Sequence, residues 1–175
     1  VLFASSQAAS AQRTMKGQSY IGGQCVMSCD ASLPVGGEIT FGRYMLDSHV
    51  KGSISLCPDS RELSSSHRMG YLPVTVGADW MYRAAETYSR DICLYVGGGI
   101  FLGWEFYDPL RRLPRYIDTG LGRSAFIYGL SPKIEVEFFI STTVAIIIDA
   151  AMPVAVSSGA EMVRTHIGTG IRINI

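Results

Sequence analysis

The sequence predicts an all-β fold, an eight-stranded antiparallel up-and-down transmembrane β-barrel, on three observations. In the stretch 163–175, Val163, Thr165, Ile167, Thr169, Ile171, Ile173 and Ile175 make an apolar face, while Arg164, His166, Gly168, Gly170, Arg172 and Asn174 make a polar or bare one. Successive strand side chains point to opposite sides, so this pattern is a strand with one greasy face and one wet one. Second, 47% of the 175 residues are hydrophobic and only 17% are charged, below the roughly 25% of soluble domains. No stretch nears the ~20 continuous apolar residues of a membrane helix, and in lipid only helices and closed barrels satisfy their backbone groups. Third, the connections between alternating segments run long, short, long, short, long, short, long. A barrel with both ends in the periplasm needs external loops and periplasmic turns in that order.

In chain order, Val1-Leu2-Phe3 and Ala9-Ser10-Ala11 resemble the end of an apolar signal region and its cleavage site. Residues 1–11 are therefore expected to be the remnant of a secretory signal peptide, with Gln12 as mature N-terminus and 12–175 as the barrel. Strands are expected at 18–28, 38–47 and 50–57, without a readable phase. In 72–84 the outward face is Leu72, Val74, Val76, Ala78, Trp80 and Tyr82; in 92–106 it is Ile92, Leu94, Val96, Ile100, Leu102, Trp104 and Phe106. In 125–140 Phe126, Tyr128, Leu130, Ile134, Val136, Phe138 and Ile140 oppose Lys133, Glu135 and Glu137. Val144, Ile146 and Ile148 lead the strand at 143–156, where Pro153 lacks a ladder donor and predicts a bulge or strand end. In the closing strand 163–175, Gly168 and Gly170 suit a face meeting crowded side chains. Tight turns are expected at Ser48-His49, at 87–90 and at Ser141-Thr142, with long loops at 29–37, 58–68, 108–124 and 157–162. Trp80 and Tyr82 at one end, and Trp104, Phe106, Phe126 and Tyr128 at the other, fit interfacial aromatic girdles.

The polar faces predict a lumenal charge network of Arg83, Lys133, Arg164 and Arg172 with Asp79, Glu105, Glu135, Glu137 and Asp149. An eight-stranded barrel has an interior just wide enough for side chains to fill, so these charges should neutralise one another. Over the whole chain, 15 basic residues balance 15 acidic ones, and no basic stripe points to direct contact with nucleic acid. Cys25, Cys29, Cys57 and Cys93 have no zinc-ligand spacing and read as small packing residues. No cofactor or metal is expected. Two other classes compete. A soluble lipocalin-like ligand carrier would alternate similarly with its apolar face inward, but the polar face here, rich in Gly, Ser, Thr and Ala, is a poor coat for water. A rim-site outer-membrane hydrolase would use Ser64-Ser65-Ser66 with His67, or His166, yet no spacing fixes a nucleophile, base and orienter.

Phe101-Leu102-Gly103-Trp104-Glu105, Phe126-Ile127-Tyr128-Gly129 leading into Ile134-Glu135-Val136-Glu137, and the closing run from Thr165 to Arg172 resemble the TraO family of conjugative transposon proteins. The resemblance covers about the last 105 residues together with Ala11-Gln12-Arg13; Asp149-Ala150-Ala151-Met152-Pro153 departs from the family's charged seventh strand. It implies an outer-membrane barrel of a Gram-negative bacterium, without catalytic residues to carry over, serving as an anchor or interaction module of a conjugative-transfer or other envelope complex. The expected partners are the bilayer, lipopolysaccharide and proteins of that complex. Arg111, Arg112, Arg115 and Tyr116 form the candidate partner loop.

Overall fold

The computed structural model describes residues 17–29, 35–64, 67–89, 91–107, 124–156 and 162–175. The described residues form ten strands: β1 Ser19–Ser28, β2 Val35–Tyr44, β3 Ser48–Leu56, β4 Asp59–Ser64, β5 His67–Glu86, β6 Ile92–Tyr107, β7 Ser124–Phe139, β8 Val144–Ala151, β9 Val154–Ala155 and β10 His166–Asn174. Eight of them close a ring in the order β1-β2-β3-β5-β6-β7-β8-β10, antiparallel throughout, with β10 returning to β1 from Tyr20↔Asn174 to Ser28↔His166. The closed antiparallel eight-stranded barrel is the predicted fold.

The other two strands are continuations across prolines. Leu56 pairs with Val74 and Asp59 with Tyr71, so β4 keeps the register of β3 against β5, and only Cys57 and Pro58 interrupt it. Likewise Lys133 pairs with Ala151 and Leu130 with Val154, so β9 resumes the register of β8 beyond Met152 and Pro153. Pro153 is therefore a strand end without a bulge: the missing N–H drops a rung and inserts no residue. The first of these continuations corrects the long loop expected at 58–68. Outside the membrane a strand has no reason to alternate, and Asp59-Ser60-Arg61-Glu62-Leu63-Ser64 carries none of the signal that marks the others.

A second correction concerns Ser48-His49, expected as a tight turn. The turn lies at 45–47, closed by the Met45 N–H donating to the Ser48 carbonyl at 2.7 Å, and Ser48 and His49 already pair with Tyr82 and Met81. His49 is an inward residue packed among tyrosine rings, which its polar neighbours in the sequence disguised. The turns at 45–47 and 140–143 and the ends Glu86 and Ile92 share one end of the barrel with Ser19 and Asn174, and the strand ends Ser28, Val35, Tyr107 and Ser124 lie at the other. These are here called the turn end and the loop end.

The facing directions are those the alternation predicts. Ile167, Ile171 and Ile173 are 43%, 55% and 48% exposed, whereas Arg164 and Arg172 are 4% and 0% exposed. Outward apolar residues ring all eight barrel strands, among them Ile21, Ile39, Ile54, Val76, Ile100, Leu130, Ile148 and Ile171. Among the described residues no charged side chain interrupts this belt between its aromatic borders. Trp104 and Phe126 meet edge to face at 5.1 Å near the loop end, and Trp80 and Tyr82 stand exposed near the turn end. From Leu72, paired with Phe106, to Tyr82 is ten residues along β5. At about 3.3 Å per residue and a tilt near 40° that is about 25 Å of height, the thickness of a membrane barrel's apolar band. Inside, glycines seat larger groups: the Tyr20 ring occupies the space a Cβ at Gly42 would need, and the Asp149 carboxylate does the same at Gly168.

Ile100 lies near the middle of the belt and Ile175 at its turn-end border. Ile100→Arg is expected to destabilise the barrel by about 2–4 kcal/mol and Ile175→Arg by about 0–1 kcal/mol. Equilibrium urea unfolding in lipid vesicles measures the difference, and equal costs at the two positions would contradict the assignment of a lipid-facing belt.

Candidate functional site: the barrel lumen

The lumen has two tiers. In the turn-end tier Tyr20, Tyr44, His49, Lys51, Met81, Tyr95, Glu135, Glu137, Ile147 and Arg172 are each at most 2% exposed and fill the cross-section. Arg172 is its centre. Its Nη2 donates to Glu135 Oε1 at 2.8 Å, its Nη1 donates to Glu137, and its guanidinium lies 4.0 Å from the Tyr20 ring centroid. Lys51 Nζ donates to the other oxygen of Glu135 at 2.5 Å, and the Tyr44 hydroxyl donates to Glu137 Oε1 at 2.7 Å. His49 Nε2 stands 3.4 Å from Glu135 Oε1, its ring wedged between Tyr20, Tyr44 and Tyr95. A guanidinium with a planar fork of donors and a face for stacking suits this place better than an ammonium would.

The loop-end tier is looser. Lys133 Nζ donates to Asp79 Oδ2 at 2.7 Å; Arg164 pairs with Glu105 and stacks over Tyr71, and the Tyr107 hydroxyl donates to Glu105 Oε2 at 2.8 Å. Gln24 Nε2 donates to Glu38 Oε1 at 3.1 Å and to Asp149 Oδ2 at 3.2 Å. Gln24, Glu38, Asp79, Lys133, Asp149 and Arg164 line a cavity of about 60 Å³, also walled by Ser53, Phe101, Ser131 and His166.

Eight of the nine residues expected in the charge network lie buried in the lumen: Asp79, Glu105, Lys133, Glu135, Glu137, Asp149, Arg164 and Arg172. Arg83 does not. It sits at the turn-end rim, bonded to Asp47 at 2.7 Å and Glu86 at 2.9 Å, because phase gives direction and not depth, and β5 runs on past the barrel wall. Lys51, Glu38, His49 and Gln24 were missed, all from the strands with unread phase. Once the turn is placed at 45–47, Val50, Gly52, Ile54 and Leu56 alternate against His49, Lys51, Ser53 and Ser55, and that was the signal available. Cys57 and Cys93 are buried, while Cys25 and Cys29 are exposed. His166 borders the cavity, and the candidate partner loop Arg111, Arg112, Arg115 and Tyr116, like the expected signal remnant at 1–11, lies outside the described residues. The side chain of His67 is likewise undescribed. An apolar exterior around a charged interior is the reverse of a lipocalin-like carrier.

A family model described as "Conjugative transposon protein TraO" matches residues 65–175. Solved structures share the fold at low identity. The outer membrane protein OprG from Pseudomonas aeruginosa superposes with TM-score 0.67 at 8% identity, covering 93% of this chain and 98% of its own. Neisserial surface protein A gives 0.62 at 13%, covering 90% and 96%, and the attachment invasion locus protein Ail of Yersinia pestis gives 0.55 at 18%, covering 92% and 100%. No curated protein matches the sequence.

Removing one partner of a buried pair strands the other, so Arg172→Met is expected to cost about 3–5 kcal/mol. Lys133→Met, bordering the cavity where water can reach Asp79, should cost roughly half as much. Urea titrations of the two variants in the same vesicles compare them, and a Lys133→Met penalty as large as that of Arg172→Met would contradict the two-tier reading.

Proposed function

We propose that this chain, which belongs to the TraO family of conjugative transposon proteins, sits in the outer membrane and serves the transfer apparatus as an anchor or interaction module rather than as a pore or enzyme. The observation that carries the reading is the filled turn-end tier, where Arg172, Glu135, Glu137, Lys51 and His49 are all at most 1% exposed. Moving ions through it would require breaking several buried, mutually paired charges at once, each costing several kcal/mol. A barrel that does not conduct acts through its ends. At the loop end β4 and β5 extend one hairpin beyond the belt, and the basic, aromatic stretch with Arg111, Arg112, Arg115 and Tyr116 belongs to the connection between β6 and β7. At the turn end Leu46 and Tyr88 stand 69% and 107% exposed on the short turns. Bilayer lipid and lipopolysaccharide surround the belt, and proteins of the transfer complex meet the ends.

The test is affinity purification of the detergent-extracted protein from donor cells after crosslinking, paired with planar-bilayer recording. Other transfer proteins are expected to co-purify, an Arg111→Ser/Arg112→Ser/Arg115→Ser variant to recover less of them, and the pure protein to show no stepwise conductance. Open-channel steps, or a donor lacking the protein that transfers DNA at the normal frequency, would overturn the reading.

A further inference from the structure

The charges of the lumen do not cancel. Among the described residues six buried carboxylates (Glu38, Asp79, Glu105, Glu135, Glu137, Asp149) face four buried cations (Lys51, Lys133, Arg164, Arg172). Each cation is committed: Lys51 to Glu135, Lys133 to Asp79, Arg164 to Glu105, and Arg172 to Glu135 and Glu137. The two carboxylates left over are Glu38 and Asp149, 8% and 6% exposed, and both line the loop-end cavity. Lys133 and Lys51 act on Glu38 only through space, while their own ammonium groups are bonded elsewhere.

What holds the two acids side by side is one amide. Gln24 gives its Nε2 to both, which leaves Glu38 Oε2, Asp149 Oδ1 and Gln24 Oε1 with no hydrogen-bond partner among the described residues. Gly168 is part of the same construction, since the Asp149 carboxylate takes the space that any side chain there would claim. The site is thus a cavity wall carrying spare acceptors and two uncompensated negative charges. Burying carboxylates without a counter-charge is costly, so the arrangement is suited to a positive group that is not part of the described barrel.

The acceptors also restrict its kind. Among the described residues no group of three or more His, Cys, Asp or Glu is placed to hold a metal ion. A divalent cation would find too few hard ligands here. An ammonium with three donors, or the fork of a guanidinium, matches two carboxylates and an amide oxygen. We propose that the loop-end cavity binds an organic cation, an alkylammonium or guanidinium group entering from the loop end, between Glu38, Asp149 and Gln24. Its source is either a free polyamine or a basic side chain presented by a protein, and the chemistry is the same for both. The filled turn-end tier makes the cavity a blind one, so the cation binds and leaves by the same mouth. This holds whether or not the barrel belongs to a transfer complex.

The experiment is calorimetric titration of the full chain, refolded in an uncharged detergent, with spermidine, with a short lysine- and arginine-containing peptide, and with calcium chloride. Saturable binding of spermidine, the peptide or both is expected, weakened at least tenfold in Glu38→Gln/Asp149→Asn and unchanged in the rim variant Asp47→Asn. Spermidine alone binding identifies a small-molecule site, and the peptide binding more tightly identifies a protein side chain as the guest. The double variant should keep its heat-modifiable gel shift and resist urea better than the parent, because it removes two uncompensated charges. Gly168→Ala, which displaces the Asp149 carboxylate, should weaken binding without changing the charge. No saturable binding by either organic probe, undiminished binding in the double variant, or calcium displacing the organic cation would each overturn the proposal.

Discussion

Everything in this molecule depends on the return of β10 to β1. Nine residue pairs from Tyr20↔Asn174 to Ser28↔His166 convert a sheet with two edges into a ring with none. In hydrocarbon an unpaired N–H or carbonyl has no water to fall back on and costs several kcal/mol, so an open sheet of these strands would not persist in a bilayer. Closure also creates the two environments that the side chains must satisfy. Ile171 and Arg172 are adjacent in sequence, yet one is 55% exposed to the outside and the other fully enclosed.

The enclosed environment is the more demanding of the two. An eight-stranded ring leaves room for side chains and little else, so every inward position competes with those of the opposite wall. The lumen resolves this by mixing sizes: Gly42 lies under Tyr20 and Gly168 under Asp149, while Arg172, Tyr44 and Tyr95 take the volume released elsewhere. Charge is handled by reach. Arg172 on β10 bonds Glu135 and Glu137 on β7, and Lys51 on β3 crosses the lumen to the same Glu135. Such pairs do little for net stability once desolvation is counted, but they couple distant strands and penalise slipped registers.

How much of this could be read from the chain follows from where contrast between the faces survives. From β5 onward large aliphatic or aromatic residues alternate with charges or glycine, and the direction of Trp104, Glu105, Glu135 and Arg172 is legible at once. In β1 and β2 the contrast is erased, because Gly22, Gly23, Gly36, Gly37 and Gly42 fall on both faces and Cys25 points outward beside them. Glycine reports no side. Lys51 and His49 were hidden by a misplaced turn, since Ser48-His49 has turn-like polarity, while 45–47 begins with two apolar residues. Arg83 shows the complementary failure: period two fixes which way a residue faces, but nothing in the alternation says where along a twenty-residue strand the membrane ends.

Those blind spots fall on the residues that make the two tiers different. Glu38 and Gln24 come from the strands whose phase was unreadable, and without them five carboxylates face four cations, an excess of one with no amide to mark where it lies. With them the turn-end tier is neutralised and packed, and the loop-end tier keeps a cavity and an excess of negative charge. A barrel selected only for stability would replace Glu38 by its amide, because an isolated buried carboxylate gains nothing that an amide could not supply at lower desolvation cost. Charge kept where, among the described residues, the filling gives way to a cavity is the signature of a surface built to meet something positive. The tightly paired tier beneath holds that surface rigid and closes the way through.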